Sequence, residues 1–380
     1  MSVDVAIVGG GVIGAAIAYH LRRLDAGCAL IDPEPLPRPP SATWASAGGV
    51  RSQRRDPREW PLTVRAAGRW PTLADELGAD LGFVQSGHLH VIDDPACSAA
   101  LDLRIAAEQA AGIRVQRLDA TALRDVAPGI GDSALAAAYT PGDGQADPQL
   151  TAIAFRRAAT ERGATLHRTR AQRVTVHDGR VSGVDTEDGH IAARGVILAA
   201  GSWTAALLAD WGIELPLSLR IAQMIRTEAG EAALAPTITW EGRRLSLKQT
   251  QAGDYLVGGG WQGIRASNRH SYRLDPAAVR GSLAVARGAW PRLTDLGIAS
   301  VWCGLESETP DGVPYLGPLT DTGLYTAVGF SGHGFQIAPA VGEAMAALVT
   351  GGDPADLLDG LHPGRTLGTT PATAAWRNAG

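Results

Sequence analysis

Cysteine is scarce in this chain, with three in 380 residues at Cys28, Cys97 and Cys303. The odd number, wide spacing and lack of any Cys-x-x-Cys or Cys/His cluster support neither a disulfide framework nor a zinc site, and no metal is expected. Lysine is scarcer still: Lys248 stands alone in a basic complement otherwise made of arginine, a bias of composition. Positive charge is not in excess either. A formal net charge of −5 lacks the basic footprint of a nucleic-acid binder. No uncharged apolar run reaches the roughly 18 residues of a membrane span. The N-terminus carries no basic segment or cleavage site of a signal peptide, so the cytoplasm is the expected compartment. What remains is a globular composition, 45% hydrophobic and 19% charged, over a length that suits two or three domains.

The strongest signal lies in residues 5–32. An apolar run, Val5 to Val8, reads as a buried strand entering Gly9-Gly10-Gly11-Val12-Ile13-Gly14, a G-x-G-x-x-G fingerprint. A helical stretch and a second apolar run ending on Asp32 follow. Gly9 permits the tight turn, Gly11 lets a pyrophosphate approach the backbone, and Gly14 lets helix pack on strand. The free N–H groups of the helix N-terminus face the anion. Asp32 is placed to accept from a ribose 2′-OH, which favours FAD or NAD over NADP.

Residues 33–61 are rich in Pro, Ser, Arg and Trp without periodicity, and are expected beside the cofactor. Residues 62–80 and 98–112 read as amphipathic helices, and Gly87–Val91 as a strand with His88 and His90 on one face, expected to be partly exposed. Asp147 is an expected N-cap with Pro148 at the first helical position. A β-meander follows over 173–189 and leads into Val196-Ile197-Leu198-Ala199-Ala200-Gly201, a buried parallel strand whose end faces a ligand crevice. A second glycine-rich loop, Gly329 to Gln336, precedes a helix expected from about Pro339 to Val349. One cofactor held by both ends of the chain accounts for both loops.

These residues resemble the glycine oxidase, sarcosine oxidase and D-amino-acid dehydrogenase superfamily of FAD enzymes over most of residues 3–350. The resemblance rests on VAIVGGGVIGAAIAYHL, on Ala45–Arg51, on VILAAGSW at 196–203, and on Thr309-Pro310-Asp311-Gly312 with GFSGHGFQIAPAVGE at 329–343. The sarcosine oxidase branch, including β-subunits of heteromeric enzymes, is the most similar in motif. The implied fold class is mixed α/β and α+β. A Rossmann-like FAD-binding domain is built from both termini (1–80, 150–211, 301–360), with an inserted antiparallel β-sheet substrate domain (81–149, 212–300) and a disordered tail at 361–380. The resemblance implies pyrophosphate on Gly9, Gly11, Val12, Ile13 and Gly14, ribose on Asp32 and adenine near Val174. Ala45, Ser46, Gly48 and Gly49 would run past pyrophosphate and flavin. Ala200, Gly201 and Trp203 would face the crevice, with Trp44 and Trp302 as further candidate walls. Gly332, His333, Gly334, Phe335 and Gln336 would border the isoalloxazine. Gly304 falls where monomeric sarcosine oxidases attach FAD covalently, so FAD is expected to be non-covalent and Cys303 a buried small side chain.

The implied reaction is oxidation of an amine C–N bond in an amino acid or N-substituted amino acid. Hydride leaves the α-carbon for flavin N5, and the imine hydrolyses. Candidate catalytic residues are Arg51, where the branch places a carboxylate-binding arginine, and His333. Gln336 replaces a lysine, and Glu306 replaces an arginine of glycine oxidase-like proteins. The last two departures disfavour sarcosine or glycine itself and allow a bulkier or more basic amine. The expected partners are a small amine or amino acid and an electron acceptor, which is oxygen, a quinone or another subunit. The alternatives are a 2-hydroxy-acid dehydrogenase, which needs His333 or His88 as base, and a flavoprotein subunit of a heteromeric dehydrogenase.

Overall fold

A computed structural model describes residues 2–266 and 270–366. Val3–Val8 is flanked in parallel by Cys28–Ile31 and Gly189–Leu198. The sheet continues to Thr165–His167 on one side and to Leu324–Val328 and Tyr315–Pro318 on the other. Only the last pair of this path is antiparallel. Alternation along the first strand explains why it is apolar throughout. Ile7 points into a core shared with Ile17, Phe155 and Ile337, whereas Ala6 and Val8 point into another with Val174, Val196 and Leu198. The helices Val12–Arg23, Pro148–Glu161 and Gly334–Val349 pack together on the Ile7 side. The Asp147 cap forms as expected: its carboxylate accepts from Gln149 N–H (2.8 Å) and Leu150 N–H (3.0 Å). The hairpin strands Ala171–His177 and Arg180–Thr186 extend the sheet from the first half of Gly189–Leu198.

A second sheet runs in the order Ile298–Glu308, Ser218–Ala229, Asp254–Gly258, Ser246–Gln249, Thr237–Trp240, His88–Ile92, Ala136–Thr140, Gln116–Asp119. It is antiparallel except for one parallel pair, Thr237–Trp240 with His88–Ile92. The boundary expected at residue 301 falls inside Ile298–Glu308, which crosses from this sheet towards the Phe330 loop. Trp240, Trp290 and Tyr255 fill its core, with Trp290 Nε1 donating to Tyr255 Oη (3.1 Å).

Three expectations are corrected. The helix read over 62–80 is two, Trp60–Ala67 and Trp70–Leu77. Pro71 has no N–H to give and its ring clashes with the carbonyl four residues back, which ends the first helix at Ala67. The helix expected from Pro339 starts at Gly334. Phe335, Ile337 and Ala338 are buried, and the Gln336 carbonyl accepts from Trp70 Nε1 (2.8 Å), so packing overrides the proline signal. Within the range 361–380 expected as a disordered tail, residues 361–366 are held by the fold, since Leu361 is buried and Arg365 pairs with Asp311 (3.0 Å). Residues 367–380 lie outside the described residues.

Candidate active site

A cavity of about 690 Å³ lies along the C-terminal ends of the parallel strands, walled by Val8, Ile31, Ala199, Ala200, Ala327 and Val328. This is where an open α/β sheet binds ligands. The fingerprint turn forms one end. Gly9 has φ +105°, and a Cβ on Gly14 would lie 1.9 Å from the Gly9 carbonyl oxygen, so neither position admits a side chain without opening the turn. Gly11, Val12 and Ile13 line the cavity. The Val12 N–H donates to Thr43 Oγ1 (3.1 Å).

Asp32 accepts from Gly10 N–H at Oδ2 (2.5 Å) and from Glu34 N–H at Oδ1 (2.8 Å), and lines the same wall. A carboxylate has about four lone-pair sites, so capacity remains for a ligand hydroxyl. Arg156 braces this corner: its Nε donates to Gly10 O (2.6 Å), its Nη1 to Glu34 O (2.8 Å), and its Nη2 lies 3.4 Å from Asp32 Oδ2. Sequence reasoning missed Arg156. The available signal was an arginine between Ala152 and Ala159 on the apolar face of its helix. Of the segment 33–61 expected beside the cofactor, residues 33, 34, 36–43 and 46 line the cavity and the others do not.

At the other end stand Glu306, Trp203, Gly332, His333, Gly334 and Phe335, with Ser46 and Gly201 along the wall. His333 Nδ1 faces the Ser331 carbonyl (3.1 Å) and Nε2 faces Glu59 Oε2 (3.0 Å). Glu59 is sealed, and its other oxygen lies 3.4 Å from Arg55 Nη1. Arg55 Nη2 returns to the His333 carbonyl (2.9 Å) and Nε to the Arg51 carbonyl (3.1 Å). Burial pushes the Glu59 carboxyl up, but His333 and then Arg55 more than offset this and hold it below the usual range. Glu59 was not anticipated from the sequence. Burial raises the Glu306 carboxyl above the usual range, with Glu308 reinforcing the rise and Arg220 and His333 opposing it.

Several expected residues do not reach the cavity. Arg51 closes its own loop, donating from Nη1 to the Gln53 and Arg54 carbonyls. Burial, then repulsion from Arg55 and Arg54, pushes its pKa down to about 10. The Gln336 side chain is sealed and turned away, with Nε2 on the Thr63 carbonyl (3.1 Å), because the early helix start puts it against Trp60–Ala67. Val174 packs in the core with Val184, and the cavity is lined instead by Arg170, Ala171 and Gln172. Ala45 and Gly304 face each other, a Cβ on Gly304 falling 2.2 Å from the Ala45 Cβ. Gly48 and Gly49 do not line the cavity; Gly49 begins the short strand Gly49–Val50, paired with Gly144–Gln145, and Gly48 directly precedes it. Trp44 and Trp302 pack edge to face on one another outside it.

The Cys303 thiol is buried and lies 3.8 Å from Gln223 Oε1, in the cluster with Ile221. His88 and His90 are buried rather than partly exposed. They share Thr239 Oγ1 (3.1 and 3.0 Å), and His90 also meets Glu241 (2.9 Å). The Thr-Pro-Asp-Gly motif is structural, since Asp311 also holds Arg58 (2.9 Å).

The glycine cradle, the Asp32 corner and the long cavity fit FAD, which Gly9–Ile13, Asp32, Ser46, Ala200–Gly201 and Gly332–Phe335 would hold. Comparison with known proteins agrees. The family described as FAD dependent oxidoreductase matches residues 4–348. Glycine oxidase of Pseudomonas putida is 30% identical over 370 residues, covering 93% of this chain and 96% of that protein. L-proline dehydrogenase from P. horikoshii superposes with a TM-score of 0.87 at 26% identity, covering 96% and 97% of the two chains. Iminodiacetate oxidase from Chelativorans sp. superposes with a TM-score of 0.82 at 27% identity, covering 95% and 99%. With the fingerprint, the cavity and a match over nearly its whole length, the chain belongs to the FAD-dependent oxidoreductase family, and FAD is its cofactor.

Proposed function

We propose that this protein oxidises the C–N bond of a small amine, an amino acid or an N-substituted amino acid. The α-carbon gives up a hydride, and the resulting imine is hydrolysed. FAD supplies the two-electron acceptor. The chain supplies position, and charge at the end of the cavity opposite the fingerprint.

The observation that carries the reading is the makeup of that end. It presents a carboxylate, Glu306, and a histidine whose two nitrogens are already engaged by Ser331 and Glu59. An alcohol substrate needs a base for its hydroxyl proton. His333 is committed, while His88 is buried, absent from the cavity wall and pushed well below its ordinary pKa by burial and then by Arg51. The one remaining group, the Glu306 carboxylate, repels the carboxylate of a 2-hydroxy acid and attracts a cationic amine, which favours the amine over the 2-hydroxy-acid reading. The names of the relatives, an amino acid oxidase, an imino acid dehydrogenase and an oxidase of a secondary amine, point the same way.

The test is product analysis with the purified flavoprotein. Turnover of an acyclic secondary amine must release a primary amine and a carbonyl compound in equal amounts, and turnover of a cyclic one a single ring-opened amino carbonyl compound. A carbonyl product from 2-hydroxy acids alone would overturn the assignment.

A further inference from the structure

Glu306 lies on Ile298–Glu308, where alternation puts it on the face of Trp302 and Gly304 and sends Cys303 and Leu305 into the cluster with Ile221. Its carboxylate reaches the Gly332 loop, with Oε2 3.1 Å from where a Cβ on Gly332 would stand. It lines the cavity and takes no hydrogen bond or ion pair from any described residue. The arginine nearest to neutralising it is already engaged: Arg220 Nη1 pairs with Glu308 Oε1 (2.9 Å).

The charged groups that act on Glu306 are Arg220 from Ser218–Ala229, Glu308 two residues along its own strand, and His333 from the facing loop. The other two elements against this strand, Ala42–Ala45 and Gly201–Trp203, bring no titratable side chain. An anionic oxygen left open at the reacting end of a cavity repels a carboxylate and attracts a cation. Burial that favours its protonated form also makes it a better proton acceptor than an exposed carboxylate.

Resting on the amine-oxidation reading above, we propose that Glu306 binds the substrate ammonium and removes its proton before the C–H bond is oxidised. The N–H bond breaks and an O–H bond forms on Glu306. The electron pair stays on nitrogen and becomes the C=N π bond as hydride leaves carbon for the FAD oxidant. The proton on Glu306 then passes to water. The chain's substrate is accordingly an amine that enters as a cation, with any carboxylate directed away from Glu306.

The experiment is anaerobic stopped-flow reduction of the holoenzyme by sarcosine, L-proline and benzylamine from pH 6 to 10, in wild type, Glu306→Gln and Glu306→Asp. With the best of these amines, Glu306→Gln is expected to slow flavin reduction ~100-fold at pH 7, a typical general-base loss. The rate is expected to recover as pH approaches the amine's own pKa, and Glu306→Asp to retain part of the low-pH rate. Tetramethylammonium, a cation with no N–H, is titrated by its perturbation of the flavin spectrum and should bind ~10-fold more weakly to Glu306→Gln. A Glu306→Gln enzyme with the wild-type pH profile and rate overturns the inference while leaving amine oxidation standing. A wild-type flavin that none of the amines reduces overturns both.

Discussion

The chain Arg55–Glu59–His333 ties the loop at one end of the cavity to the turn that opens the helix Trp60–Ala67, and replacing Glu59 tests it. The Arg55 and Glu59 side chains are each 1% exposed. Removing one partner of a buried ion pair strands the other charge and costs about 3–5 kcal/mol. Glu59→Gln keeps size and a hydrogen-bonding oxygen for His333, so its cost belongs near the lower end, about 3 kcal/mol.

The pH dependence has a definite sign. The folded-state pKa of Glu59 is lowered, so its stabilisation is fully present above the unfolded value, about 4.3, and is lost as pH falls through the folded value. The difference between wild type and variant should therefore be full at pH 7 and shrink below pH 4. Urea unfolding of the flavin-loaded proteins measures it. A cycle with Arg55→Met should return a coupling of about 1–3 kcal/mol, because the two side chains are in contact. A Glu59→Gln midpoint equal to wild type at pH 7, or a coupling near zero, would refute the argument that these buried charges hold one another.

Gly11→Val should yield protein without flavin. A Cβ there projects into the cavity wall 3.0 Å from Thr43 Oγ1, and flavin absorbance per chain reads the loss; full flavin content would contradict the cradle. Asp143, buried and accepting from Ser52 N–H (2.8 Å), is pushed up to about 6 by burial against the opposing Ser52, Arg51 and Arg55. Its contribution is present below the unfolded value and lost as pH rises through about 6. Asp143→Asn should thus raise stability at pH 8 relative to pH 4, compared with wild type, by about 2 kcal/mol, read from urea midpoints at both pH values.

Legibility in the sequence followed the range of the interactions. The fingerprint, the Asp147 cap and the 173–189 meander are set by neighbours within a few turns of chain, and spacing alone located them, whereas the Asp32 corner also depends on the distant Arg156, which spacing did not find. The Gln336 side chain was misplaced because the helix start is decided by Trp70, 266 residues away. Glu59 was missed because its partner His333 is 274 residues away, and one glutamate in a polar segment carries no local signal. Arg51, expected to bind a substrate carboxylate, stands with Arg54, Arg55 and Arg58 in a basic run, a pattern that by itself suggests a solvated face. In the fold Arg54 pairs with Glu241 (2.6 Å), Arg55 with Glu59 and Arg58 with Asp311. Charge runs are interpretable only when the opposing charges, here distant in sequence, are known. Glu306 was noticed for its departure from the resembling family. That it faces the cavity without an ion pair required the fold.

The most direct test of the central claim is anaerobic bleaching of the bound flavin by a panel of D- and L-amino acids, N-alkyl amino acids, plain amines and 2-hydroxy acids. The account predicts bleaching by at least one amine and none by the hydroxy acids. Bleaching by hydroxy acids alone would contradict it.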